Sequence, residues 1–200
     1  MAGGDTDAAF SDAEVVVKDT IIQQKLIPNT IEPRSALASW VGPTGELTLW
    51  TSSQNPHICR FITSLVSSVP EHKIRVIAPE VGGGFGSKTP VYADEMIAVF
   101  CSMKLRRPVK WTETRSENYQ STLHGRDHTE YVEIAATREG KITGVRSVVY
   151  AGMGAYLSTA STGIPTILHG LMYCGPYDIA NVKADVYGVF TNTTPVDLYR

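Results

Sequence analysis

Between residues 81 and 88 the chain reads Val81-Gly82-Gly83-Gly84-Phe85-Gly86-Ser87-Lys88, and glycines packed this densely around one aromatic residue dictate an irregular loop lined by bare backbone. Glycine reaches positive φ and lacks the Cβ that would keep a ligand off the main-chain N–H groups. The loop therefore suits a phosphate, an oxo group or a flat heterocycle, or else a tight structural turn. It is entered from a β-rich run, Lys73 to Ala78, and followed by a helix-like stretch, Tyr92 to Leu105. Two nucleotide fingerprints fail at one residue. Counting from Gly82, a Walker A loop needs its second glycine where Ser87 stands before Lys88 and Thr89, and G-x-G-x-x-G from Gly82 and Gly84 puts its third glycine on Ser87 as well.

Around this loop the pattern is mixed α and β in irregular order. Glu14 to Lys18 and Leu47 to Thr51 are β-rich, and Pro56 to Val66 carries helix-spaced Ile58, Phe61, Ile62 and Leu65. Val109 to Glu113 reads as a short strand. Thr129 to Ala136 alternates with Ile142 to Tyr150 across an Arg138-Glu139-Gly140 turn as a hairpin would, and Asp185 to Thr191 closes as a strand. Residues 151 to 176 are rich in Gly, Ser, Thr and Pro and poorly periodic. The order is no clean βαβ series, so the expected class is α+β.

A formal charge of −2 gives no electrostatic reason to seek nucleic acid, and 42% hydrophobic residues suffice for a core. No apolar run approaches a membrane span and the start lacks the basic and apolar regions of a secretory signal, so a cytoplasmic setting is the default. Cys59, Cys101 and Cys174 are too scattered for a zinc knuckle or iron–sulfur cluster and read as buried free thiols. His57, the Glu71-His72 pair and His124 with His128 do not follow H-E-x-x-H or another helical metal-site pattern, although His124 and His128 are four apart. Gly125 between the last two weakens a helix, and no third ligand stands nearby in sequence. A G-x-S-x-G elbow is missing.

The glycine–phenylalanine loop resembles that of the molybdenum hydroxylases, the family of xanthine dehydrogenase, aldehyde oxidoreductase and aerobic carbon monoxide dehydrogenase. Further segments agree in family order: Ile27-Pro28-Asn29-Thr30-Ile31-Glu32-Pro33-Arg34, the strand Leu49-Trp50-Thr51-Ser52-Ser53-Gln54-Asn55-Pro56-His57, and Arg107-Pro108-Val109-Lys110-Trp111. The Pro70-Glu71-His72-Lys73-Ile74 approach resembles the carbon monoxide dehydrogenase large-chain branch. The resemblance covers nearly the whole chain, and it implies the first molybdenum-cofactor-binding domain of the xanthine dehydrogenase type, with mixed sheets and packed helices. Residues 1–19 would be the end of a preceding small domain and its linker, and 20–200 the N-terminal part of the molybdopterin-binding domain, a fragment of a longer subunit.

By that resemblance Gln54 reaches the molybdenum ligands, whereas as a bare residue it reads as a solvated loop position with Asn55 or Pro56 making the turn. Gly84, Phe85 and Gly86 match the backbone lying against the molybdenum–pterin cofactor, in its cytosine dinucleotide form. Tyr199-Arg200 matches the start of the substrate loop. The pterin holds the metal, so no direct protein ligand is expected, and no catalytic acid or base is placed within these residues. Thr89 replaces the glutamate of xanthine-oxidising members, which weighs against a purine. The activity implied is oxidation of a small carbon substrate such as carbon monoxide, an aldehyde or an N-heterocycle with water as oxygen source. [2Fe-2S] clusters would sit in an iron–sulfur small subunit and FAD in a medium subunit, and the 200 residues alone would be inactive. The competing class is a non-enzymatic α+β module, or a decayed fragment, holding an anionic ligand or partner chain through Gly82–Gly86.

Overall fold

The computed structural model describes residues 1–199, which form two compact units. One unit comprises Ile27–Leu123 together with the residues from Leu198. Its four-stranded sheet has the order β5-β4-β3-β6, with β3 Ser35–Val41, β4 Glu46–Thr51, β5 Ile74–Ile77 and β6 Val109–Thr112. β3 lies antiparallel to both β4 and β6, while β5 runs parallel to β4. The parallel pair is connected through helix α2, Pro56–Ser67, and the second long helix, α3, is Ala93–Leu105. Ala36, Ala38, Leu47 and Leu49 alternate inward from β3 and β4 to meet Cys59 of α2 and Met96 and Val99 of α3.

The helix ends explain where the connections fall. Asn55 caps α2, its side chain accepting from Ile58 N, and Pro56 sits in the first turn where its missing N–H costs nothing. α3 stops at Arg106, which turns left-handed (φ 54°) ahead of Pro108. Ser102 then ties that end to the sheet, accepting from Trp40 N at 3.0 Å and donating to Arg107 O at 2.9 Å. A further short helix, α4 (Arg115–Ser121), follows a Thr114–Glu117 capping box.

The other unit comprises Met1–Leu26 and His124–Asp197, with a five-stranded sheet of order β1-β9-β8-β7-β2. Its strands are β1 Ala2–Gly3, β2 Val15–Gln23, β7 His128–Ala136, β8 Ile142–Gly154 and β9 Asn181–Phe190. The expected β7–β8 hairpin forms, with a register shift at Ala135/Ala136, and β9 pairs parallel to β8. β2 runs from residue 15 to 23 without a break, so the division expected after residue 19 falls inside a strand. Helix α1 is Thr6–Ser11. The poorly periodic stretch holds a π-helical turn, Gly163–Leu168, running into the short helix α5, His169–Leu171.

The architecture is the mixed-sheet α+β fold expected. The helix expected from Pro56 forms; its Ile58, Phe61 and Leu65 are exposed, and Cys59 and Thr63 are its buried positions. One local expectation changes. Only Cys59 among the cysteines is buried, Cys101 and Cys174 being partly exposed. Burial, with Glu95 nearby, pushes the Cys59 thiol pKa up to about 12, which makes it an inert core group. Among the described residues no helix is long and apolar enough to cross a membrane.

Candidate functional site

The glycine loop is fastened from beneath by two charged side chains. Lys88 is buried, its Nζ lies 2.7 Å from Glu32 Oε2, and the same oxygen accepts from Gly82 N at 2.7 Å. Burial alone would raise the Glu32 pKa, but the hydrogen bonds from Lys88 and Gly82 hold it below the ordinary carboxylate range. Lys88 is therefore an anchor and not a phosphate-binding lysine. α3 begins only at Ala93, so the loop does not cradle a ligand on a helix N-terminus.

Gln54, between the end of β4 and the cap of α2, fastens the loop from the other side. Its N–H donates to Lys88 O at 2.8 Å, and its Oε1 accepts from Gly86 N at 3.0 Å and Lys88 N at 3.2 Å. Two backbone donors facing one side-chain atom fix the amide orientation, so Oε1 points into the loop and Nε2 points out. Nε2 has no partner among the described residues, and Gln54 is exposed.

Bare backbone is needed here chiefly for the protein's own approach. A Cβ on Gly84 would sit 2.7 Å from Gln54 Cγ. One on Gly86, whose φ is +101°, would sit 2.7 Å from the Leu198 carbonyl carbon. Leu198, and with it the chain leading to half-buried Tyr199, therefore runs against Gly86. Arg200 lies outside the described residues. Phe85, although not glycine, is held at φ 51°, a strained conformation for a bulky residue, with half its surface exposed.

The loop keeps two donors in reserve. The N–H groups of Gly82, Gly83, Gly86, Ser87, Lys88 and Thr89 all have acceptors, whereas those of Gly84, which is buried, and Phe85 find none among the described residues. Buried backbone donors are rarely left unpaired in a folded chain. Together with Gln54 Nε2 they can receive an oxygen-rich group, with the Phe85 ring as an apolar face.

Behind the loop lies a buried ion pair that sequence reasoning did not single out as structural. Arg34 Nη2 meets Glu113 Oε1 at 2.5 Å and Asp94 at 3.1 Å, and its guanidinium stacks 3.8 Å from the Tyr92 ring centroid. The Tyr92 hydroxyl donates to Ser87 O at 2.5 Å, connecting this pair to the loop. In the other unit, His128 does acquire metal-ligating neighbours, Glu130 and His169. Only the Glu130 spacing was readable, since His169 is distant in sequence. Burial, then the facing His128, lowers the His169 pKa despite Glu130.

Residues 1–200 match the molybdopterin cofactor-binding domain, and the chain belongs to that family. It is 42% identical over 187 residues to the carbon monoxide dehydrogenase large chain of Afipia carboxidovorans, covering 94% of this chain and 23% of that one. The nicotine 6-hydroxylase large subunit of Paenarthrobacter nicotinovorans is 35% identical over 199 residues, 98% of this chain and 24% of the relative. Among solved structures, CO dehydrogenase from Oligotropha carboxidovorans superposes with a TM-score of 0.89 at 40% identity, covering all of this chain and 25% of that one. Quinoline 2-oxidoreductase from Pseudomonas putida 86 gives 0.93 at 28% identity, with the same coverage. The chain thus spans about a quarter of the length of these relatives.

Proposed function

We propose that this chain is the molybdenum-cofactor-binding portion of a hydroxylase large subunit, with Gln54, Gly84, Phe85 and Gly86 at the edge of the cofactor site. The observation that carries the reading is the N–H of buried Gly84, without an acceptor among the described residues, beside Phe85 N–H and Gln54 Nε2. These donors fit a group presenting oxygen atoms, and the exposed Phe85 ring fits a flat organic one. Bound there, the molybdenum–pterin group would supply two-electron oxidation chemistry with water as the oxygen source.

The chain's own part is positioning. Gln54 Nε2 and the two backbone N–H groups donate, Phe85 packs, and Lys88, Glu32 and Ser87 keep the loop from relaxing when nothing fills it. No residue here is assigned as acid or base. Tyr199 and Arg200 would open the substrate loop. The substrate class is a small carbon compound such as carbon monoxide, an aldehyde or an N-heterocycle, and Thr89 weighs against purines. The cytosine dinucleotide form of the cofactor, an iron–sulfur small subunit, an FAD-binding medium subunit and a cytoplasmic setting complete the proposal; the names of the relatives support the multi-subunit part of it.

The test is molybdenum and released pterin, quantified on the intact subunit and on its Gly86→Val variant. Wild type should carry about one molybdenum per chain and the variant much less, because a branched side chain at positive φ cannot coexist with Leu198. Absence of molybdenum and pterin from a folded, intact subunit would favour the non-enzymatic module instead.

A further inference from the structure

The unit built on β7 and β8 carries a polar cluster that cofactor binding leaves unused. His128 and Glu130 are two residues apart on β7, so both side chains project from one face of the sheet, and α5 brings His169 to the same place. His128 Nδ1 lies 3.4 Å and His169 Nε2 3.7 Å from Glu130 Oε1, and the three atoms all lie within 4.8 Å of one another. The two rings meet edge to face with centroids 4.6 Å apart.

Burial makes this arrangement costly as it stands. The His128 side chain is 7% exposed and that of Glu130 5%, and His128 Nδ1 and His169 Nε2 are both buried without a hydrogen-bond partner among the described residues. Each such orphan destabilises the fold, because its desolvation is not offset by a hydrogen bond. Both nitrogens come within ion-pair reach of the carboxylate but miss hydrogen-bond geometry, as ligands arranged around a common centre do. A tetrahedral zinc ion with bonds of about 2.0–2.1 Å separates its ligand atoms by roughly 3.3–3.5 Å. The two separations from Glu130 are close to that value.

We infer that His128, Glu130 and His169 form a binding site for a zinc-class divalent ion. Two imidazoles and one carboxylate favour such an ion over calcium or magnesium, which prefer all-oxygen shells. Three protein ligands leave one position for water. Gln23 of β2 donates to the same Glu130 Oε1 at 2.6 Å and so orients the carboxylate. The ion would tether the segment 155–176, including the π-helical turn, to the sheet by linking α5 to β7.

The experiment uses the intact subunit, stripped with a chelator and reloaded with Zn²⁺ alone, with zinc counted separately from molybdenum. One zinc per chain is expected, together with protection of residues 155–176 from limited proteolysis. His169→Ala and Glu130→Gln should each reduce zinc to background, and Gln23→Ala should weaken binding about ten- to a hundredfold. Cobalt loaded into wild type should give the intense visible absorption of a four-coordinate centre, a readout that needs no variant to fold. A reloaded wild type without stoichiometric zinc, a weak six-coordinate cobalt spectrum, or zinc retained in both ligand variants would overturn the inference.

Discussion

Gln54→Glu is the substitution that separates holding the loop from touching the cofactor. Oε1 accepts from Gly86 N at 3.0 Å and Lys88 N at 3.2 Å, and a glutamate keeps that acceptor in nearly the same shape. The two backbone donors would favour its ionised form, so the residue would be a carboxylate at neutral pH. What changes is the outward atom: a donor N–H becomes an anionic acceptor facing the proposed oxygen ligands. Losing one positioned donor costs on the order of ten- to a thousandfold in turnover. Gln54→Ala is a different perturbation, because it also deletes both loop hydrogen bonds, worth roughly 0.5–1.5 kcal/mol each, and empties the space over Gly84. Molybdenum content and steady-state turnover measured on the same preparations of intact enzyme should therefore diverge. Gln54→Glu should keep near-stoichiometric molybdenum with low turnover, whereas Gln54→Ala should lose part of both. Wild-type turnover by Gln54→Glu at full molybdenum occupancy would refute the reasoning.

Glu113 should make a pH-dependent contribution. Burial alone would raise its pKa, but hydrogen bonds from Arg34 hold it low, so its stabilisation is present above the unfolded carboxylate pKa and lost as pH falls through the folded value. Glu113→Gln should cost about 1.5–3 kcal/mol at neutral pH by leaving the buried Arg34 with Asp94 as its remaining ionic partner, and the difference in denaturant midpoint should shrink in acid; a gap that ignores pH speaks against it. Glu95 runs the other way: burial raises its pKa, so its contribution is complete below the unfolded pKa and lost as pH rises through the folded value. Glu95→Gln should flatten that loss, and a steeper alkaline decline in the variant would contradict the assignment. The isolated 200 residues should oxidise neither aldehydes, N-heterocycles nor carbon monoxide with an artificial acceptor, and turnover above a metal-free control would count against the proposal.

Element types were legible where periodicity was strong, as in α2 and in the pairing of β7 with β8. The buried face of α2 was not, because apolar spacing at Ile58, Phe61 and Leu65 identifies a stripe without saying what covers it. β3 was missed although Ala36 and Ala38 alternate inward, since small residues carry little hydrophobic contrast. The polar helix α4 had a readable signal in Thr114-x-x-Glu117, the capping box that forms. The irregular loop was readable from its glycines, but that Gln54 locks it depends on which backbone donors converge on Oε1. The His169 contact joins positions far apart in sequence, which no local spacing encodes.

A loop this rich in glycine loses more conformational entropy on ordering than any other kind, so its rigidity must come from outside it. Three separate ties supply it. Glu32 with Lys88 grips both ends of the run, Gln54 grips its middle, and Tyr92 holds Ser87 while stacking against Arg34. Gln54 stands between β4 and α2, and Tyr92 is the cap residue of α3, so through these two ties the loop inherits the stiffness of the core. The pinned backbone then leaves the Gly84 and Phe85 N–H groups, and the Phe85 ring carried on its left-handed backbone, in place ahead of any ligand. Donors held in advance need no reorganisation when the ligand arrives. The glycines therefore act in two steps: their missing side chains admit Gln54 and Leu198, and those two close contacts fix the donors that remain.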